Sequence, residues 1–440
     1  MLLASGTAFA VGCGLDSDVG DDGIGASTDP ITDIPQTWVR RQTVGNCWLY
    51  AAASWAESLN KSTLPPDAPM PDGAVTSVII PADAGDAGYT GPEPWRPSGL
   101  NLSESYWTYW HWFDQLANGS NTDDEITTGG YFVTAAEIIN RYGVMKEADF
   151  IAAEKWFESS PTQKRALAAI NESMKTGALK SRDARRDRAL VRAELDRAFE
   201  LPAEIIAGMD RVFGRTVART LDRSEISTAG TNIIRAREIP VTLRDPATKL
   251  PVQRTLQDAV GVRGPSGNRQ GPYAWNQVMY PSGPVARRQT IIRVQRAMHD
   301  QLPVVVSFRV DFNAPDPQGR FLAPPEEPGA QGGHMVIVDD YQISNVPGFG
   351  TLTAGTVETR GNALEAALDP SATVDFIRIK NSWGTSRQDP SLVPGGYYDL
   401  YMKYLDGPAK NCVQTPDGTD STDDCYDGTP LSHFILPPGY

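Results

Sequence analysis

The sequence predicts an α+β chain in which a helical half precedes an antiparallel β half. From Cys47, "CWLYAAASWAESLN" sets Trp48, Ala52, Trp55 and Leu59 at helical spacing, and "LNLSESYWTYWHWFDQL" and "ITTGGYFVTAAEIINRYGV" continue in the same manner. In the last third, "PVVVSFRV", "HMVIVDDYQI", "TVDFIRIKNSW", "GYYDLYMKYL" and "HFILPP" are short β-branched and aromatic runs between Gly/Pro loops. Such runs read as the strands of a small antiparallel sheet or barrel. A cleft between the two halves is the natural place for a site.

Taken in order, residues 1–12 read as a signal-like segment. "MLLASGTAFAVGC" is apolar, too short to span a bilayer, and carries an Ala8-x-Ala10 pattern. Its end, "AVGC", resembles a bacterial lipobox, in which Cys13 would be lipidated and attach the chain to a membrane. The basic stretch that usually opens such a segment is missing, since no Lys or Arg precedes Arg40. Residues 13–35 are Gly/Asp/Ser-rich and read as a flexible acidic tether. The expectation is an exported protein, secreted or held at the cell envelope; the alternative is a disordered cytosolic tail.

Residues 36–160 form the helical lobe. "VGN" supplies a turn that puts Cys47 at a helix N-terminus. A Pro/Gly/Asp-rich loop fills residues 62–100, Ser103 opens the aromatic helix, and Gly143 stops the next one, whose apolar side holds Val133, Ala136, Ile138 and Ile139. Residues 161–285 read as a helical insertion. Leu167, Ile170 and Met174, then Leu195, Ala198 and Phe199, recur at i, i+3 and i+4 among Arg, Ala and Asp, which suits amphipathic surface helices. Acids interleave with the bases there, and the 440-residue chain has a net charge of -14. A nucleic-acid partner, which needs a basic surface, is therefore excluded. Residues 286–440 form the β lobe. No run of 18 apolar residues occurs, so no internal membrane span is expected.

The four cysteines divide by context. Cys412 and Cys425 flank the loop "VQTPDGTDSTDD", and a disulfide between them suits an oxidising compartment. The aspartates of that loop match no EF-hand spacing, so no metal is expected. Cys47 remains without a predicted partner. Alone, a cysteine in an apolar run is either a packed core thiol or a nucleophile.

Six blocks elsewhere decide between the two. "Q-TVGNCW-LYA", "LNLSES", "GGYFVTAAEIINRYGV", "GGHMVIVDDY", "IKNSWG" and "GGYYDLYMKYL" occur in this order. Together they resemble the papain-like cysteine peptidases, and in layout the bleomycin-hydrolase and aminopeptidase-C branch. The resemblance implies a two-lobed fold, helical lobe plus antiparallel β-barrel lobe, with the helical insertion separating Cys47 from His334. It implies Cys47 as nucleophile, His334 as base, Asn381 as the residue holding the imidazole, and Gln42 as oxyanion donor. Trp383 would shield the His–Asn hydrogen bond, and Gly129 and Gly130 would line the substrate's backbone. Departures from the pattern are Val44 where papain itself has a cysteine, Gln42 one residue nearer the nucleophile, and "VDDY" after the histidine.

The chemistry fits these residue types. A thiol with a pKa near 8.5 must be held as thiolate to attack an amide at neutral pH. A helix N-terminus at Cys47 and an imidazole at His334 both favour the anion. His111, His299 and His433 have no matching context and read as structural. The expected activity is peptide-bond hydrolysis through a Cys-His-Asn thioester mechanism, without a cofactor, on peptide or protein substrates. Two rivals are an acyl transferase or transamidase on the same fold and a non-catalytic peptide-binding module. In the bleomycin-hydrolase branch a C-terminal arm enters the cleft. Here only Pro437 to Tyr440 follow the last apolar run, about 14 Å of extended chain, which favours an open cleft and endopeptidase action.

Overall fold

The computed structural model describes residues 36–61, 100–119, 125–156, 158–265, 267–414 and 420–440. The signal-like segment, the tether, Cys13 and most of the 62–100 loop lie outside them. Helix α1 (Cys47–Lys61) is buried nearly all round, which its Ala-rich, Trp-bearing sequence permits and a polar face would not. Helix α2 (Glu104–Ala117) starts at Ser103, whose hydroxyl accepts from the Tyr106 N–H at 3.1 Å; such a cap contributes about 1 kcal/mol. Helix α3 (Phe132–Tyr142) stops at Gly143, where φ is 69°. Aromatic tips bind α2 to the end of α3. The Tyr106 hydroxyl donates to the Tyr142 carbonyl at 2.7 Å, the Trp107 indole to that of Gly143 at 3.1 Å, and Trp110 stacks on Tyr142 at 4.0 Å.

After the short α4 (Glu147–Phe150), the insertion begins with α5 (Pro161–Lys175), α6 (Arg182–Arg186), α7 (Arg188–Ala198) and α8 (Ala203–Phe213). Beyond residue 213 it is mostly hairpins and loops, with only short helical turns. Strands β1 (Pro240–Arg244) and β2 (Pro251–Thr255) form a hairpin, followed by α9 (Leu256–Val260). A second hairpin, β3 (Val262–Arg263) with β4 (Arg269–Gln270), precedes β5 (Asn276–Met279). The first hairpin is set by its turn: Asp245 accepts from the backbone N–H groups of Ala247 and Thr248, so local hydrogen bonds compete successfully with helix. The surface-helix expectation also fails at Arg192. That residue is fully buried, donating to the Tyr109 hydroxyl at 2.6 Å and to Asp210 at 3.1 Å, and so ties α7 to α2 and α8.

The last third continues with α10 (Pro284–His299), β6 (Val304–Asp311), β7 (Arg320–Phe321), β8 (Gln331–Val346), β9 (Gly350–Leu352), α11 (Ala363–Ala366) and β10 (Thr373–Lys380). It closes with β11 (Tyr397–Tyr401), α12 (Met402–Leu405), β12 (Ala409–Gln414), β13 (Asp420–Gly428) and β14 (Leu431–Leu436). Each strand run read from the sequence contributes to one sheet, ordered β5-β14-β6-β8-β10-β11-β7 with β9 on β8, although the second half of "GYYDLYMKYL" is the helix α12. All its pairs are antiparallel except β7 with β11. The expected barrel is instead an open sheet among the described residues: its edges are β5, four residues long, and β7, two residues long. Strands so short lack the ladder needed to close the sheet on itself. Cys412 and Cys425 face each other in the separate β12–β13 hairpin and form the disulfide.

Helix α1 packs across β8 and β6, and one hydrophobic cluster runs through both halves. No described helix is long and apolar enough to cross a membrane.

Candidate active site

Cys47 is the first residue of α1, fully buried and outside the disulfide. The turn before it is fixed from three directions. Asn46 donates through its side-chain amide to Thr108 and to Gln163, each at 2.8 Å, and so pins the helix start to α2 and α5. The Thr43 hydroxyl donates to the Ser160 carbonyl at 2.7 Å. Gln42 donates its backbone N–H to the Ser382 carbonyl at 2.9 Å, joining this turn to the chain after β10.

His334 lies within β8 opposite Phe308 of β6, and Asn381 directly follows β10. Their side chains meet at 2.7 Å, His334 Nε2 to Asn381 Oδ1. The Ser382 N–H donates to the same Oδ1 at 2.8 Å, which fixes the amide with its oxygen toward the ring. An amide oxygen only accepts, so Nε2 carries the proton and Nδ1 is the basic nitrogen. Trp383 stacks on the imidazole at 4.9 Å, and both residues of the pair are buried.

Ser382, which sequence reasoning passed over inside "KNSW", has a second role. Its hydroxyl donates to Gln42 Oε1 at 2.6 Å, and Gln42 Nε2 donates to the Val44 carbonyl at 3.0 Å. The amide of Gln42 is thus oriented with its N–H groups on the side away from Ser382, and one N–H is engaged by a neighbouring carbonyl.

Behind the pair, Lys380 is buried and donates to Thr37 at 2.8 Å and to Ser54 of α1 at 3.1 Å. Burial pushes its pKa down to about 8. The residue preceding Asn381 is therefore stapled to the helix that carries Cys47. Nearby, Arg40 makes a two-pronged contact with Glu147 and lies 3.8 Å from Glu104. Burial pushes Glu104 up to about 7, as it does Asp339.

Gly130 packs on the indole of Trp48, whose N–H donates to the Thr128 carbonyl at 3.0 Å. A methyl at residue 130 would stand 2.4 Å from that ring. Gly130→Ala is expected to destabilise the fold by about 1–3 kcal/mol through overpacking, read as a lowered denaturant midpoint. Trp48 adjoins Cys47, so the glycine is required by the wall of the site whatever a substrate needs there.

His111 packs edge-on against Trp48 at 4.8 Å, whereas His299 and His433 are not bonded to the site residues. Burial holds all three near pKa 4, with Gln115, the Tyr341 hydroxyl and Ser432 as their respective ring partners. Among the described residues, no group of three or more His, Cys, Asp or Glu could hold a metal ion. The structure thus brings together His334, Asn381, Trp383 and, through Ser382, Gln42. The disulfide belongs to a different hairpin, and Cys13 is outside the described residues.

No family model matches the chain, and no curated protein matches it. Among solved structures, xylellain, a cysteine protease from Xylella fastidiosa, is similar over 97% of this chain and 96% of its own, with TM-score 0.32 and 12% identity. PepW from Lactobacillus rhamnosis HN001 is similar over 93% of this chain and 81% of its own, with TM-score 0.38 and 10% identity. At scores this low, the functional assignment rests on the residues themselves.

Proposed function

We propose that the chain is a cysteine peptidase on the papain-like plan, hydrolysing peptide bonds through a thioester on Cys47. The observation that carries this reading is the His334–Asn381 pair, with its amide fixed by Ser382 and its ring covered by Trp383. That arrangement prepares a single basic nitrogen, Nδ1, beside the helix whose N-terminus bears the thiol. The Cys47 proton passes to Nδ1, and the thiolate is stabilised by the helix N–H groups and the imidazolium. Sulfur then attacks the carbonyl carbon, the C–N bond breaks as His334 returns the proton to the leaving amine, and water hydrolyses the thioester by the same base.

Gln42 is the proposed oxyanion donor, together with the Cys47 N–H. Binding would exchange its contact with the Val44 carbonyl for one with the oxyanion. Gln42→Ala is expected to lower kcat by roughly 10²–10³-fold with little change in KM; an unchanged kcat would remove Gln42 from the mechanism. The transferase alternative differs only in the second nucleophile. Product analysis with an added amine separates the two.

Export, with Cys13 as lipid carrier, and placement in the bleomycin-hydrolase branch belong to the same proposal. Endopeptidase action is part of the same proposal, and Tyr440 is bonded outside the site. Its hydroxyl bonds Asp300, Arg293 bonds its carbonyl, and Lys249 donates to the Gly439 carbonyl at 2.6 Å. These partners belong to α10, the residue after it and the β1–β2 turn, none of them among the site residues. A scan of N-terminally blocked and free peptides tests this: internal cuts in blocked peptides support it, and release of single residues from free N-termini alone refutes it.

A further inference from the structure

Beside the site lie two arginines for which the proposed mechanism has no use. Arg41 precedes the oxyanion residue and forms an antiparallel bridge with Trp383. Its Cδ and Cβ lie 3.0 and 3.2 Å from where a β-carbon of Gly384 would stand, and the Glu158 carboxylate lies against the same point. Arg387, on the loop after Trp383, holds its guanidinium 6.0 Å from the centre of that indole. Arg387 therefore borders the ring that covers His334, and Arg41 is joined to the same residue through its backbone. Neither makes a side-chain hydrogen bond or ion pair with another described residue.

The carboxylate nearest to them is already committed. Glu158 accepts from the Thr385 N–H at 2.8 Å and from the Thr385 hydroxyl at 2.9 Å. Partial burial depresses Arg387, the Tyr398 phenol opposes that, and the neighbouring Arg41 charge depresses it further. Elsewhere some arginines meet acids, as Arg378 meets Asp399 at 2.7 Å and Arg320 meets Asp316 at 2.7 Å, and others bond carbonyls, as Arg244 does that of Asp300 at 3.0 Å. Glu158 offsets part of the repulsion between these two like charges, and a bound anion relieves the rest. A planar guanidinium also matches a carboxylate geometrically, by two parallel N–H···O bonds.

We infer that Arg41 and Arg387 form a carboxylate-binding subsite that selects substrates with a negative charge on the leaving-group side of the scissile bond. The side follows from the chemistry. His334 must deliver its proton to the leaving amine, Trp383 covers His334, and the arginines border Trp383. This location rests on the peptidase reading. The carboxylate can come from an acidic side chain or from the free C-terminus of a short peptide.

The test uses N-terminally blocked peptides identical up to the scissile bond. After it they carry Glu or Gln, with the C-terminus either free or amidated. The expected ratio of kcat/KM for charged over neutral peptides is about three- to tenfold at low salt, because the cations are partly exposed. It should fall to near one in Arg387→Gln and in 0.5 M salt, and partly persist in Arg387→Lys. A preference for the Glu side chain or for the free C-terminus identifies the source, and either supports the subsite. The same peptides are titrated against Cys47→Ala by calorimetry, so that recognition is measured without turnover. A flat ratio in both measurements overturns the subsite while leaving the peptidase standing. Charge-dependent binding lost in Arg387→Gln, with no hydrolysis of any peptide by the wild type, overturns the peptidase reading and keeps the anion site.

Discussion

Replacing Cys47 by alanine is expected to lower peptide hydrolysis by on the order of 10⁴-fold or more, since the residue that forms the covalent bond is gone. The fold should survive. Alanine is the best helix former and Cys47 opens a helix already rich in it. Loss of one buried sulfur costs about 1 kcal/mol. The measurement pairs turnover of a blocked peptide with a denaturant melt of the same preparation. Iodoacetamide labelling supplies the complement: Cys47 should react faster than an ordinary thiol near pH 6, where a solvent-exposed cysteine is almost wholly protonated. Retained turnover in the alanine variant, with the melt unchanged, would end the cysteine-peptidase reading.

The second large effect concerns stability. Arg40 is buried with two acids, paired two-pronged with Glu147 and 3.8 Å from Glu104. One guanidinium serves both, and burial still pushes both acids up, Glu104 to about 7 and Glu147 well above the ordinary carboxylate range. Arg40→Met would leave two buried carboxylates without a cation, a loss of roughly 3–5 kcal/mol at pH 7. The pH dependence follows from linkage. In the unfolded chain Glu104 and Asp339 titrate near 4.5 and 3.8, whereas both titrate near 7 when folded. Between those values the folded state holds protons that the unfolded state has released, so stability declines as pH rises toward 7. Lys380, held down at about 8 against 10.5, has the opposite sign and adds stability only above pH 8. The three buried histidines, held near 4 against 6.5, act with the opposite sign below pH 6.5, so the effect is read as a difference: in urea melts from pH 5 to 8, Arg40→Met should lose stability relative to the wild type as pH rises. Adding Glu104→Gln to that variant should restore part of the loss. A melt of Arg40→Met within 1 kcal/mol of wild type at pH 7 would refute the account.

Much of this was legible from local pattern. The Ser103 cap, the Gly143 stop, the helix opening at Cys47 and all the strand runs depend on neighbours within one turn or one ladder, which sequence spacing records. What was not legible depends on partners far along the chain. Nothing in "RDRALVRAELD" marks Arg192 as buried, because its partners Tyr109 and Asp210 belong to other helices. The β5 and β7 edges that leave the sheet open are too short to carry a period. In the site, His334, Asn381 and Gln42 were readable as a set because their order resembles a family. Ser382 and Lys380 were not, since a hydroxyl that orients an amide and an amine that staples a strand to a helix look like ordinary loop and strand residues.

The separation of the candidate nucleophile from its base also sets an order in time. Cys47 is made 287 residues before His334, and at about 5–20 residues per second that interval is on the order of 15–60 s. The strand bearing His334 is flanked by β6, whose other neighbour is β14, Leu431–Leu436. The ladder that holds the imidazole in place is therefore completed only when those residues have left the ribosome. Until then the growing polypeptide carries the thiol but not the finished means of ionising it, so on the proposed reading the nascent chain is chemically unarmed.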